Sequence, residues 1–213
     1  MRLRRNWKGE AELPSMPGVL DLASTSFQQN WDELFGRKAS LHVEIGAGKG
    51  EHIMEAARTN PGINYVGIER VPTVLYMAVK KSQDLALANL RFVLLDADAM
   101  ASYFPAGSIE RIYLNFSDPW PKNRHRERRL TAKDKLAIYQ TLLIPGGEIH
   151  LKTDQEAFFY FSLGEFIHQG WSVGKLCTDL YRSTFEANIS TEYETRFVAM
   201  GKAIYRMEAW RKR

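Results

Sequence analysis

The chain has 213 residues, of which 45% are hydrophobic and 25% are charged, and its formal net charge is +4. At roughly 150 residues per domain, this length predicts one globular domain with a real core. No apolar run approaches the ~18 residues that span a bilayer, and the basic N-terminus lacks the apolar stretch of a secretory signal. Cys177 is the single cysteine, so a disulfide within the chain is excluded. We expect a cytoplasmic protein without a membrane span.

Positive charge is concentrated in three short segments. Residues 122–135 carry seven Lys or Arg against two acidic residues, residues 1–8 carry four more, and the last three residues are all basic. These segments together carry +12, so the rest of the chain is net acidic. Such a distribution favours a polyanionic partner. A solvated charged surface with frayed termini explains the same charges about as well.

Short apolar runs alternate with stretches of helical period from residue 41 onward. Strands alternating with helices in this way indicate a parallel sheet covered by helices on both faces. Predicted strands are Leu41–Ile45, Tyr65–Ile68, Leu90–Leu95, Ile109–Asn115, Glu148–Lys152 and Trp171–Cys177. Predicted helices are Lys49–Arg58, Thr73–Ser82, Thr131–Leu143 and Gln155–Gln169, with a short polar stretch at Asp98–Tyr103 and a turn at Pro145–Gly147.

The final stretch, Thr195–Tyr205, also has the composition of a strand, and no clear helix separates it from the strand before. Successive strands without a long crossover pair antiparallel. We therefore predict a Rossmann-like α/β fold: a mainly parallel sheet of seven strands, an antiparallel last pair, and helices on both faces. A single domain spans residues 1–213, with a core at 39–213. The first 38 residues form a basic arm and one helix near Phe27–Phe35.

A glycine-rich loop at residues 44–50, Glu-Ile-Gly-Ala-Gly-Lys-Gly, follows a predicted strand and opens a helix. Glycines allow a sharp turn and close ligand approach, and a helix N-terminus favours negative charge. The dinucleotide fingerprint requires Gly or Ala where Glu51 stands, which argues against NAD. The Glu44 carboxylate suits an ammonium group instead. S-adenosylmethionine carries an ammonium group together with a carboxylate that the amides of Gly46 and Gly48 can bind.

The next two strands also end in carboxylates, Glu69 and Asp96. Ligands of open α/β sheets lie outside the carboxyl ends of the strands. Glu69 is placed to accept the ribose hydroxyls, and Asp96 is placed to accept the adenine amino group. We predict S-adenosylmethionine as the cofactor.

The fourth strand leads into residues 115–130, Asn-Phe-Ser-Asp-Pro-Trp-Pro-Lys followed by an Arg-rich run. Pro119 and Pro121 predict an extended loop without helix until about Thr131. This loop places Asp118, an aromatic residue and a row of cations beside the cofactor site. A plain turn followed by a solvated loop is the alternative.

These motifs, with Leu151-Lys-Thr-Asp154 and Thr191-x-x-Glu194, resemble the bacterial tRNA (guanine-N7-)-methyltransferases from about residue 40 to 200. The resemblance implies a class I methyltransferase fold and methylation of guanine 46 in the tRNA variable loop. It implies Asp118 as the catalytic residue. Cofactor-binding residues would be Glu44, Gly46, Gly48, Glu69, Asp96, Asn115 and Asp118. Guanine-binding residues would be Lys122, Asp154, Thr191, Glu192, Tyr193 and Glu194, and RNA-binding residues Arg124, His125, Arg126, Arg128 and Arg129. Ala47 and Glu127 depart from the family pattern.

The chemistry of guanine N7 agrees with these residues. Its lone pair is free at neutral pH, so alignment and electrostatics are needed rather than a strong base. Asp118 or Asp154 can select guanine through its N1–H and 2-amino group, and Trp120 or Tyr193 can stack on the unstacked base. The histidines lack metal-ligand spacing, so we predict no metal. A methyltransferase for another RNA or a small molecule, and a non-catalytic RNA-binding module, are the alternatives. A monomer and a homodimer both remain possible.

Overall fold

A computed structural model describes residues 5–20, 30–185 and 188–211. Within them eight strands form one sheet, in the order β1-β4-β3-β2-β5-β6-β8-β7. The strands are β1 (Val19–Leu20), β2 (Leu41–Ile45), β3 (Asn64–Glu69), β4 (Leu90–Leu94), β5 (Ile109–Asn115), β6 (Leu143–Thr153), β7 (Ser172–Cys177) and β8 (Tyr205–Trp210). The α-helices are α1 (Trp7–Glu12), α2 (Trp31–Phe35), α3 (Glu51–Thr59), α4 (Pro72–Ser82), α5 (Lys133–Leu142), α6 (Glu156–His168) and α7 (Glu192–Ala199).

The predicted fold class is confirmed. The pairings among β1 to β6 are all parallel, whereas β8 runs antiparallel to both β6 and β7. All residues of β2 and β3 are buried, as expected for parallel strands covered on both faces. One face packs against apolar residues of α5 and α6, and the other packs against α3 and α4. None of the described helices is both long and apolar enough to cross a bilayer.

The prediction of a strand at Thr195–Tyr205 is wrong. Its first five residues belong to α7, which ends at Ala199, and the strand begins only at Tyr205. The Thr191 side chain accepts a hydrogen bond from the Glu194 N–H and so caps α7, a start signal that outweighs the β propensity of the following Phe and Val. β8 lies between β6 and β7 and pairs antiparallel with β7, as predicted for the last two strands, although α7 lies in the connection between them. The two-residue edge strand β1 raises the strand count from seven to eight.

Three smaller expectations also change. Residues Asn123–Arg128 form a 3₁₀ helix, so the loop is not extended up to Thr131. The Pro145–Gly147 turn lies inside the long strand β6 as an irregularity opposite β5, with Gly146 at a φ of 80°. In the N-terminal arm α2 covers the end of the predicted Phe27–Phe35 helix, while Phe27 lies outside the described residues.

Candidate active site

A cleft of about 500 Å³ opens at the carboxyl ends of β2, β3, β4 and β5. It is the position at which open α/β sheets bind their ligands. All seven predicted cofactor residues line this cleft: Glu44, Gly46, Gly48, Glu69, Asp96, Asn115 and Asp118. Their carboxyl and amide groups come from the ends of these four strands and from the loops that follow them, so the sheet brings them together. We call the side formed by Glu44, Gly46, Gly48, Glu69 and Asp96 the cofactor wall.

The glycine loop of the cofactor wall is built from backbone hydrogen bonds. The N–H groups of Gly46 and Ala47 both donate to the Ile68 carbonyl, at 2.8 and 2.9 Å. Gly46 and Gly48 have φ values of 75° and 59°, in the left-handed region that favours glycine. A Cβ at Gly46 would meet no heavy atom within 4 Å, so the requirement there is conformational rather than steric.

Glu69 ties the glycine loop to the start of α4. Its Oε2 accepts from the Gly48 N–H at 3.1 Å, and its Oε1 accepts from the N–H groups of Arg70 and Val71 at 2.8 and 2.9 Å. Burial raises the pKa of this carboxyl, while the three backbone donors oppose the rise. Oε1 already accepts two of these bonds, whereas Oε2 keeps a further lone pair with which a ribose hydroxyl could be bound.

Glu44 is buried, with a side chain only 3% exposed, and one of its oxygens lacks a partner. Asn115 Nδ2 donates to Oε1 at 2.8 Å, and His52 Nδ1 lies 3.3 Å from the same oxygen without hydrogen-bond geometry. Oε2 has no hydrogen-bond partner among the described residues. A buried carboxylate oxygen left unpaired is costly unless a ligand supplies a donor. An ammonium group fits this position, so the residues present fit S-adenosylmethionine.

Arg70 is a site residue that the sequence motifs did not reveal. Its guanidinium lies 4.0 Å from Asp96 Oδ2 and 3.8 Å from Asp118 Oδ2, which joins the cofactor wall to the loop after β5. The side chains of Asp96 and Asp118 are 49% and 71% exposed, so both carboxylates remain accessible. The only signal in the sequence was its place directly after Glu69 at the end of β3.

The loop after β5 holds two non-glycine residues in the left-handed region. The φ values are 51° for Phe116 and 41° for Trp120. The Phe116 N–H donates to the Lys152 carbonyl at 2.8 Å, and Arg129 donates to the carbonyls of Pro119 and Trp120 at 3.0 Å each. Strained backbone of this kind persists only where its surroundings fix it, and it is concentrated at functional sites.

Comparison with known proteins identifies the family. A family profile described as "Putative methyltransferase" matches residues 38–207. A tRNA (guanine-N(7)-)-methyltransferase of Geobacillus sp. (strain WCH70) is 45% identical over 208 residues, covering 98% of this chain and 94% of that protein. One of Streptococcus thermophilus (strain CNRZ 1066) is 42% identical over 209 residues, covering 98% of each.

The chain belongs to the tRNA (guanine-N(7)-)-methyltransferase family. The resemblance seen in the sequence is thereby confirmed.

Solved structures agree on the fold. The 16S rRNA methyltransferase KamB superposes with a TM-score of 0.65 at 12% identity, covering 87% of this chain and 95% of that one. A 16S rRNA (adenine(1408)-N(1))-methyltransferase from Catenulisporales acidiphilia, solved with cosubstrate SAM, gives 0.61 at 16% identity, covering 86% and 90%. At these identities the likeness shows the fold alone. Membership of a methyltransferase family supports S-adenosylmethionine as the methyl donor, as predicted.

The opposite side of the methyltransferase cleft is formed by Phe116, Trp120, Arg128, Thr191 and Tyr193, and we call it the substrate wall. Tyr193 is 51% exposed and stacks on Phe116, with ring centroids 6.3 Å apart and planes at 25°. The Trp120 ring is contacted by the His125 ring edge at 5.5 Å and by the Arg128 guanidinium at 5.0 Å. Two aromatic surfaces therefore face the cleft.

Of the six residues predicted to bind guanine, only Thr191 and Tyr193 line the cleft. Glu194 is fully buried: its Oε2 accepts from Lys152 Nζ at 2.6 Å and its Oε1 from the Tyr181 hydroxyl at 2.9 Å. Lys152 also donates to the Ile189 carbonyl at 2.8 Å, and burial lowers the pKa of its ammonium against the opposing effect of Glu194. Glu194 therefore anchors α7 by pairing with Lys152, a residue that belonged to a sequence motif but had no predicted role.

The remaining predicted guanine contacts lie outside the cleft lining. Glu192 pairs with Lys49 of the glycine loop at 2.8 Å, which links the two walls. Asp154 pairs with Lys202 at 2.8 Å, and its side chain is 7% exposed. Lys122 is exposed.

Several of the basic residues at 122–135 have partners within the chain. Arg126 pairs with Glu165, Arg129 holds the loop after β5, and Lys135 is buried beside Asp98. Arg124 is exposed and Arg128 lines the cleft. The number of cations free for RNA is therefore smaller than the sequence suggested.

Glu148, His150 and Glu208 lie close enough together, within 4.8 Å, to hold a metal ion. Cations already compensate the two carboxylates: Arg111 lies 3.0 Å from Glu148, and Lys175 lies 2.9 Å from Glu208. This ion-pair network explains the cluster without a metal.

Proposed function

We propose that this chain transfers a methyl group from S-adenosylmethionine to N7 of guanine 46 in the tRNA variable loop. The curated relatives are named tRNA (guanine-N(7)-)-methyltransferases, and they match nearly the whole chain. The buried Glu44 carboxylate, which has one oxygen without a hydrogen-bond partner, is the observation that supports this chemistry. Beside it lies the strained loop after β5, which carries Asp118 and Trp120. The single domain at 1–213 remains a prediction, as does the position of the target guanine.

S-adenosylmethionine supplies an electrophilic methyl group on a sulfonium. We assign its ammonium to Glu44 Oε2, its carboxylate to the N–H groups of the glycine loop, its ribose hydroxyls to Glu69 and its adenine amino group to Asp96. These assignments use groups that line one continuous cleft. Asn115 orients Glu44 through its 2.8 Å hydrogen bond and thereby leaves Oε2 free for the ligand.

The guanine N7 lone pair forms the new bond to the methyl carbon, and the electron pair of the breaking bond returns to sulfur. No proton leaves N7, so the protein must align the reactants and stabilise the charge that arrives on the purine. Asp118 is placed for this task, because it is the exposed carboxylate of the strained loop and lies near Arg70. Tyr193 and Trp120 offer faces on which an unstacked guanine can lie.

In this proposal Glu194 and Glu192 act on guanine indirectly. Glu194 fixes α7, and α7 presents Tyr193; Glu192 ties α7 to the glycine loop through Lys49. The Asp154 carboxylate can accept hydrogen bonds from guanine N1–H and the 2-amino group once Lys202 moves away from it. Arg124 and Arg128 are assigned to tRNA phosphates.

The test is to incubate the protein with methyl-labelled S-adenosylmethionine and bulk tRNA, digest the tRNA, and identify the labelled nucleoside. We expect 7-methylguanosine, located at position 46 by cleavage at the modified base. Label in a different nucleoside would contradict the reaction, and label on protein or small molecules alone would contradict the substrate. Calorimetry should detect S-adenosylmethionine and its demethylated product but not NAD.

A further inference from the structure

Trp7, in the first turn of α1, is 67% exposed, the largest value among the exposed large hydrophobic side chains of the described residues. The guanidinium carbon of Arg5 lies 3.4 Å from the centroid of its ring. Arg5 Nε also donates to Glu10 Oε2 at 2.8 Å, which holds the guanidinium over the indole. The pair therefore presents an aromatic ring and a cation to solvent in a defined arrangement.

The segment that carries this pair is firmly attached to the core and is not a frayed terminus. The Asn6 N–H donates to Thr73 Oγ1 at 3.2 Å, and Leu13, just beyond α1, is only 2% exposed. Gly9 packs so closely on α4 that a Cβ there would lie 2.7 Å from the Tyr76 ring. Ordering Arg5 and Trp7 against a ligand therefore costs little further backbone entropy.

The position of the pair connects it with the cleft. Thr73, which binds the backbone of Asn6, lies in the first turn of α4. Val71 and Val74, on either side of that residue, line the cleft. The Arg5–Trp7 pair therefore lies near the mouth of the cleft on the side of the cofactor wall, while Arg128 of the other basic segment lies on the substrate wall.

We propose that Arg5 and Trp7 form a second tRNA contact, in which Trp7 stacks on an unpaired base near the target guanosine and Arg5 binds the adjoining phosphate. This inference rests on the proposed function. Exposed aromatic rings bind bases of any identity by stacking, and guanidinium groups bind phosphate. The neighbouring residues Arg2, Arg4 and Lys8 add positive charge. An acidic protein surface would use the cations but not the indole, so RNA is the better fit.

The test measures tRNA affinity for Trp7→Ala and Trp7→Phe. Loss of one stacked base weakens binding by about 5- to 100-fold, so Trp7→Ala should raise the Kd for tRNA by this factor. Trp7→Phe should recover most of the affinity, because a smaller ring still stacks. The affinity for S-adenosylmethionine should be unchanged in both variants.

Tyr160→Ala is the matched control, since Tyr160 is 51% exposed on α6, against the opposite face of the sheet. Its tRNA affinity should equal that of the wild type. Arg5→Ala should lower the slope of log affinity against log salt by about 0.7–0.9, as for one lost phosphate contact, whereas Trp7→Ala should leave the slope unchanged. Arg182→Ala, which removes an arginine that is 88% exposed, is the charge control.

Wild-type tRNA affinity in Trp7→Ala would overturn the inference, as would an equal loss in Tyr160→Ala. Trp7-dependent binding to anionic lipid vesicles, with unchanged tRNA affinity, would overturn it in favour of a membrane surface. Failure of the proposed function is separate: it appears as absent 7-methylguanosine with the wild-type protein, whatever the Trp7 variants do.

Discussion

The two walls of the cleft are held in place by different kinds of interaction. On the cofactor wall, backbone N–H groups bind Glu69, and the strand ends themselves position Glu44. On the substrate wall, long side chains make the holding contacts: Lys152 anchors α7 through Glu194, and Arg129 donates to carbonyls of the loop after β5. We therefore expect side-chain loss around Glu69 to be tolerated better than loss of the residues outside the cleft that hold the substrate wall.

The largest effect is expected from Lys152→Met, which breaks the anchor of the substrate wall. Lys152 is 5% exposed and Glu194 is fully buried, so the variant leaves a buried carboxylate uncompensated. We expect the free energy of unfolding to fall by about 3–5 kcal/mol, measured by urea denaturation. The double variant Lys152→Met/Glu194→Gln should recover a large part of the loss, because the buried charge is gone.

Lys49→Met is the matched control for this anchor. It breaks an ion pair whose two side chains are 32% and 53% exposed, and such pairs contribute no more than about 1 kcal/mol. Similar losses for Lys49→Met and Lys152→Met would contradict the distinction between the anchor and the surface pair.

Acid should destabilise the sheet near the start of β2, where His42 packs against Tyr113. Burial, together with the nearby charge of Arg111, lowers the pKa of His42 to about 4. The folded protein therefore binds fewer protons than the unfolded chain below the ordinary histidine pKa of about 6.5. The stability is complete above that value and decreases as the pH falls toward 4, by up to about 3 kcal/mol.

Glu148 adds to the acid-induced loss of folding stability at lower pH. The hydrogen bond from His150 and the charge of Arg111 lower the pKa of its carboxyl to about 2, so its stabilising effect is lost as the pH falls from the ordinary glutamate value toward 2.

Urea denaturation of His42→Gln between pH 7 and pH 4 should give a flatter profile of unfolding free energy against pH than the wild type. His168→Gln, at an exposed position, should retain the wild-type slope. Equal slopes for all three proteins would contradict the assignment.

The variant Asp118→Ala tests the residue at the junction of the two walls. We expect turnover to fall about 10²-fold or more, the scale of one lost electrostatic contact to the transition state. The wild-type rate should depend only weakly on pH in the neutral range, since no proton is abstracted from N7. Single-turnover methylation measures the effect, with Asp134→Ala, at an exposed position, as the control. Near wild-type turnover would remove Asp118 from the catalytic role.

The smallest effects should distinguish two arginines of the basic segment. Arg124 is exposed, so Arg124→Ala should lower the salt slope of tRNA binding by about 0.7–0.9 and leave turnover at saturating tRNA unchanged. Arg129 holds the Pro119 and Trp120 carbonyls, so Arg129→Ala should lower turnover instead. Replacing Arg124, Arg126, Arg128 and Arg129 together should show both losses while sparing cofactor affinity. An unaltered slope in the quadruple variant would exclude phosphate contacts by this segment.

Local patterns in the sequence were sufficient to predict the cofactor wall. Each parallel strand appears as an apolar run, and the residue that ends it, such as Glu69, necessarily reaches the same edge of the sheet. Asp118 was predictable for the same reason, because it follows β5 within a short loop. Arg70 and His52 were not predictable, since nothing in their own spacing shows that they lie beside Asp118 and Glu44, respectively.

The arrangement of the substrate wall could not be predicted from the sequence and is visible only in the tertiary structure. The position of β8 between β6 and β7 is a long-range pairing, and such pairing depends on which sheet edges the earlier strands leave open. Thr191-x-x-Glu194 is visible in the sequence as a motif, yet only the packed structure turns Glu194 inward to Lys152, 42 residues away. The physical reason is burial: a local pattern specifies an element and its cap, whereas the partner of a buried charge is chosen by whatever the completed core places within reach.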